Sequence, residues 1–178
     1  MEKRYTAIAV ANYFLSKYGH TGIQPLKLQK LVYIAHGWHL ALRGKKQPLV
    51  FDENAEAWQY GPVFPSVYHE FKDRGKQPIT DLGTEFVAKE TGNIGSIVSV
   101  TPEIKQKDEN TTNLLDRVWE VYGRWSGIQL STLCHQPGTP WDITRKKSNG
   151  RRNAHIENEI IYKHYKKKLE QNVSKNAK

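Results

Sequence analysis

The stretch Pro25-Leu-Lys-Leu-Gln-Lys-Leu-Val-Tyr-Ile-Ala-His-Gly-Trp-His-Leu-Ala-Leu-Arg-Gly44 reads as one helix from end to end. Pro25 suits a first helical turn, where its missing N–H is not needed, and Gly44 suits the stop. Leu28, Leu31, Val32, Ala35, Trp38 and Leu42 recur at helical spacing and form one apolar stripe. On this reading Trp38 points inward, while His36 and His39 line the helix flank as partly solvated polar residues. A helix marked this strongly sets the class as mainly α.

The flanking sequence adds further elements. Ala7, Ile8, Ala11, Phe14, Leu15 and Tyr18 form an earlier helical stripe, capped by Thr6 and ended by Gly19. Residues 48–51 and 55–60 read as two short extended segments about the polar Asp52-Glu-Asn54, a small hairpin. In Gly61-Pro-Val-Phe-Pro65 neither proline can donate to a strand ladder, which predicts a sharp bend. Pro65 then opens a helix through Val67, Tyr68 and Phe71 to Gly75. Residues 76–110 read as partly looped, with strand-like content only at Ser96–Val100.

Leu114, Leu115, Val118, Val121, Tyr122 and Trp125 stripe another helix, and Ser131 caps or begins a short one. After the turn cluster Gln136-Pro-Gly-Thr-Pro140, Trp141 is expected to seal the core. Residues 145–152 read as a basic loop, followed by a last helix at about 155–171 and a frayed end at 173–178. The expected fold is mainly α with a small β element (α+β). It is a compact single domain over residues 1–172, with five to six helices and a short hairpin or small antiparallel sheet.

With 178 residues, 38% of them hydrophobic, the chain can bury one real core and has no room for a second catalytic domain. The single cysteine, Cys134, excludes an intramolecular disulfide and any multi-thiolate zinc site, which fits a reducing cytosol. No stretch approaches the roughly 18–20 apolar residues that cross a bilayer. A cytoplasmic protein without a membrane partner is expected. The formal charge of +9 is concentrated late in the chain: after Asp142 there are 11 basic and 3 acidic side chains, a net +8. That asymmetry suits an acidic protein surface or nucleic acid.

Catalytic chemistry finds little support. His36 and His39 share a helix face, but a third metal ligand has no obvious source. Cys134 and His135 are adjacent, and neighbours on a helix diverge by about 100°, so the imidazole is poorly placed to activate the thiol. No glycine pattern for cradling phosphate occurs. A non-enzymatic protein with no cofactor and no metal is expected. Arg145, Lys146, Arg151, Arg152 and the lysines of the last helix could neutralise phosphates. No DNA- or RNA-reading motif accompanies them, and nucleic acid is left open as a partner. In Trp58-Gln-Tyr-Gly-Pro-Val63, Gly61 can take a positive φ and Pro62 fixes the next turn. Trp58 and Tyr60 are then rigid aromatics, suited either to an interface centre or to packing on the helix of residues 28–38.

Three blocks in order carry a resemblance. They are Leu26-Lys-Leu-Gln-Lys-Leu-Val-Tyr-Ile-Ala-His-Gly-Trp-His-Leu40, Ala57-Trp-Gln-Tyr-Gly-Pro-Val-Phe-Pro-Ser-Val-Tyr68, and Leu130-Ser-Thr-Leu-Cys-His135 with Pro140-Trp141. Together they resemble the Panacea domain, the SocA-like family of bacterial and prophage antitoxins. The resemblance implies a mostly helical, non-enzymatic protein that neutralises a cognate toxin encoded by an adjacent gene, typically by direct contact. One branch of the family acts instead as an adaptor, which would add a protease as partner. The candidate partner-binding residues are Trp58, Tyr60, Gly61, Pro62 and Val63, with Arg145, Lys146, Arg151 and Arg152 in the basic region.

Overall fold

The computed structural model describes residues 5–89 and 96–176. Among these the chain forms seven helices and two separate two-stranded antiparallel sheets. Helix α1 spans Ala7–Tyr18; Thr6 caps it, its hydroxyl accepting the Ala9 N–H at 3.2 Å, and Gly19 ends it. Helix α2 spans Pro25–Arg43 and is the central strut, packed against α1, α4 (Glu109–Tyr122), α5 (Gly127–His135) and α7 (Asn158–Asn176).

The single-stripe reading of α2 is corrected here. Besides Leu28, Leu31, Val32 and Ala35, the helix buries Tyr33, Ile34, Leu40 and Ala41 together with the polar Gln29, Lys30 and His36, so it is buried around most of its circumference. Each fully buried Leu or Ile contributes about 1.5–3 kcal/mol, and their distribution around the axis lets helices pack on several faces. His36 is only 1% exposed and belongs to the core, whereas Trp38 is half-buried, its ring 5.2 Å from that of Tyr165 on α7. Gly37 permits the closest α2–α7 approach, because a Cβ there would lie 2.2 Å from the Tyr165 ring.

Several boundaries also move. A capping box between Ser126 and Gln129 starts α5 ahead of Ser131. The expected basic loop is in part helical: α6 spans Pro140–Lys147, capped by Thr139, and carries Arg145, Lys146 and Lys147 in its last turn. The last helix runs through Val173, where fraying was expected, to Asn176; residues 177–178 lie outside the described residues.

The hairpin lies elsewhere than expected. Strand β1 (Glu56–Trp58) pairs with β2 (Gly61–Val63) about a turn at Gln59 and Tyr60, with Ala57 opposite Pro62. Residues 61–63 are therefore a strand and not the bend itself. A two-stranded ribbon has only edges, where a proline is tolerated, and Gly61 supplies the positive φ of 100° that leaves the turn. Val50, expected in the hairpin, instead bridges Tyr5 in parallel. Helix α3 (Pro65–Phe71) follows at once. Within the stretch read as partly looped, the strand-like residues Ser96–Val100 form β4, which pairs with β3 (Glu85–Lys89), a strand the reading lacked.

Replacing Gly37 with Ala forces the Tyr165 ring to move and is expected to cost about 1–3 kcal/mol by overpacking, measurable as a lowered thermal midpoint. Burial lowers the His36, His39 and His164 rings from 6.5 to about 4, with nearby Arg43 acting on His39 and Lys168 on His164 in the same direction. The unfolded chain thus takes up these protons at a higher pH than the folded chain. Stability is complete above about pH 6.5 and declines as pH falls toward 4. Going from about pH 7.5 to about pH 5 is expected to remove about 2 kcal/mol through His36 alone, read from urea midpoints; a flat midpoint over that range would refute the buried neutral ring.

Candidate protein-binding cavity

Three polar side chains of α2 point into the protein, and each holds the backbone of another segment. The Gln29 amide accepts the Phe64 N–H at 3.0 Å and donates to the Phe64 carbonyl at 3.1 Å. Lys30 Nζ donates to the Pro62 carbonyl at 2.9 Å. His36 accepts the Val50 N–H on Nδ1 at 3.2 Å and donates from Nε2 to Asn158 Oδ1 at 2.9 Å. With both ring nitrogens engaged, His36 acts as a structural connector.

The hairpin is also joined to the late basic segment. Ala57 N–H donates to the Ala154 carbonyl, and Ile156 N–H donates to the Ala55 carbonyl. Trp141 Nε1 donates to the Trp58 carbonyl at 2.6 Å, and the Arg145 guanidinium lies over the Trp141 ring at 5.9 Å. Arg145 also donates to the Gly150 carbonyl at 2.9 Å, which fixes its direction. His135 faces the carbonyls of Ser131 and Gln59 with its two ring nitrogens, at 2.6 and 3.1 Å. It thereby ties the hairpin turn to α5. Cys134 is buried, and burial raises its thiol to about 11, the opposite of an activated nucleophile.

An open cavity of about 860 Å³ lies between α2, the hairpin, α3 and the turn after α6. Trp58, Tyr60 and Val63 line it from the hairpin, and Arg145 and Arg152 from the basic segment. The two groups of candidate residues, distant in sequence, thus face one space. Gly61 and Pro62 form the strand behind it, Pro62 accepting the Lys30 hydrogen bond. Lys146 is directed elsewhere, paired with Asp142 at 2.8 Å, and Arg151 is exposed and does not line the cavity.

The two aromatics differ in their packing. Trp58 is half-buried, its ring 4.7 Å from Tyr68 and its Nε1 bonded to Glu56 at 2.6 Å. Tyr60 is 68% exposed and packs on nothing comparable. Sequence reasoning missed Lys30, Tyr68 and Lys72, which also line the cavity. A signal for Lys30 was present: Tyr33, Ile34 and Gly37 follow it at i+3, i+4 and i+7, which places a lysine on a second apolar face of α2.

The sequence matches the family model described as "Antitoxin SocA-like, Panacea domain" over residues 28–142, and the chain belongs to this family. It is also similar to the Antitoxin SocA of Caulobacter vibrioides (strain NA1000 / CB15N), with 37% identity over 139 residues, covering 77% of this chain and 69% of that protein. No solved structure matches the chain. Among the described residues, no helix is long and apolar enough to cross a membrane, and no group of three or more His, Cys, Asp or Glu could hold a metal ion.

Because Tyr60 packs on little, Tyr60→Ala is expected to change stability by no more than about 0.5 kcal/mol. Trp58→Ala removes a ring contact and a hydrogen-bonded indole and is expected to cost about 3–5 kcal/mol if the site does not collapse. Chemical denaturation of the two variants separates them; equal losses would show that Tyr60 also carries packing.

Proposed function

We propose that this protein is an antitoxin that neutralises a cognate toxin by direct binding, without catalysis, and that the toxin docks on the face containing the cavity. The observation that carries this reading is the meeting of Trp58, Tyr60 and Val63 with Arg145 and Arg152 around one concavity. An exposed aromatic beside a half-buried one, on a backbone held by side-chain hydrogen bonds, loses little entropy on binding. Family membership and the similarity to Antitoxin SocA supply the class of partner. The proposed setting is the cytoplasm, with the toxin encoded by a neighbouring gene.

Co-expression with the adjacent open reading frame tests the proposal. Growth arrest by the neighbour alone, rescue by this protein, and co-purification of the two are expected. Tyr60→Ala is expected to weaken rescue while the protein remains folded and abundant. Rescue without a complex, dependent on a host protease, would favour the adaptor route over direct binding. A neighbour without toxicity would remove the functional reading.

A further inference from the structure

Lys30 is the unusual group in this cavity. It has no exposed surface, yet it forms part of the cavity wall. An ammonium has three donors, and the hydrogen bond found for this one goes to the Pro62 carbonyl. Among the described residues Lys30 makes no ion pair, and no Asp or Glu lines the cavity. Burial lowers its ammonium from 10.5 to about 8. A buried cation without a counter-charge is costly, and its usual resolution is a partner of opposite sign.

The rest of the cavity has the same polarity. Arg145, Arg152 and Lys72 add three cations, and among the described residues none of the three makes an ion pair. Between them lie apolar surfaces of Trp58, Val63 and Val67. A Cβ at Gly61 would lie 3.0 Å from both Cε and Nζ of Lys30 and 3.2 Å from His135 Cε1, so the hairpin backbone packs closely against the amine. A guanidinium fork matches a carboxylate in geometry as well as charge. The mixture of concave apolar surface and cations facing one space favours one acidic residue flanked by apolar ones over a phosphate backbone, which needs an extended basic track.

Building on the proposed function, we propose that the cavity receives an acidic side chain from the toxin, its carboxylate held by Arg145 and Arg152 and supplying the missing counter-charge to Lys30. Charge complementarity selects the occupant: a protein segment carrying Asp or Glu among apolar residues. Lys30 then has a recognition role in addition to its structural bond to Pro62.

The test compares wild type, Lys30→Met and the rim double variant Arg145→Gln/Arg152→Gln for binding of the purified product of the adjacent reading frame, with thermal unfolding of each. Methionine replaces the stem of Lys30 as far as Cε with an unbranched apolar chain one atom shorter, and removes the charge. The expected result is an affinity loss of about tenfold or more for each variant, with the rim variant still folded and its melting temperature lowered only by the loss of the Arg145 contacts with Gly150 and Trp141. Asp or Glu of the toxin is then changed singly to Asn or Gln, and one such change is expected to weaken binding to wild type and to weaken binding to Lys30→Met by a smaller factor, because Arg145 and Arg152 still hold the carboxylate there. If Lys30→Met fails to fold, the rim variant alone decides. Undiminished toxin binding by the rim variant, or by a folded Lys30→Met, would overturn the acidic-pocket proposal and leave the antitoxin reading intact.

If wild type neither binds nor rescues the toxin, the antitoxin reading fails instead. A fluorescein-labelled hexaglutamate peptide and a ten-residue oligothymidylate then decide the pocket. Peptide binding lost in the rim variant would sustain an acidic protein partner. Preference for the oligonucleotide, or binding of neither probe, would overturn it.

Discussion

The structure depends on hydrogen bonds made from inside a buried helix. Gln29, Lys30 and His36 of α2 reach the backbones of Phe64, Pro62 and Val50, segments with few strand neighbours of their own. A two-stranded ribbon is marginal alone, and unpaired backbone groups in a core are expensive. The three side chains supply bonds that a larger sheet would otherwise provide. Gln29 and Lys30 also tie β2 and Phe64 after it to α2, so the backbone that carries Trp58 and Tyr60 is held against the core.

The second half of the site reaches the hairpin by a different route. Backbone bonds from Ala57 and Ile156 join the hairpin region to the turn after α6, and Trp141 spans the same junction through its indole. Arg145 is oriented by Trp141 on one side and the Gly150 carbonyl on the other. A guanidinium fixed in this way loses less freedom on binding than a free surface arginine. The basic segment is thus partly a structural clamp and not simply a solvated charge run.

Helices with one clear stripe and a cap, such as α1 with Thr6 and Gly19, could be read from sequence because local chemistry determines them. The existence of α2 was equally plain, but its burial around most of its circumference was not, since a single stripe with two histidines beside it also describes a surface helix. The hairpin was misplaced because extended character in residues 48–51 and the two prolines suggested a different register, and the actual pairing depends on Gly61 taking a positive φ. Strand β3 gave little signal because Phe86 is 78% exposed and no buried face imposes alternation. The motif aromatics and the tail arginines could each be found in the sequence. Their meeting could not, since it is created by long-range bonds among Trp58, Trp141 and residues 154–156.

Asn12 stands at the base of the β3–β4 ribbon. Buried in α1, its amide takes the Gly83 N–H at 2.7 Å and donates to the carbonyls of Gly83 and Pro102, each at 2.9 Å. These two residues bracket the β3–β4 ribbon, so one side chain closes the ribbon at its base. Most of the ribbon's outer residues, Phe86 and Ile97 among them, face solvent. The core therefore registers where the ribbon begins and ends but not how long it is or what it displays. Loop length adds little to the closure cost once the ends are fixed. The fold thus has a position at which descendants of one ancestral chain can diverge in sequence and length while the helical body is preserved.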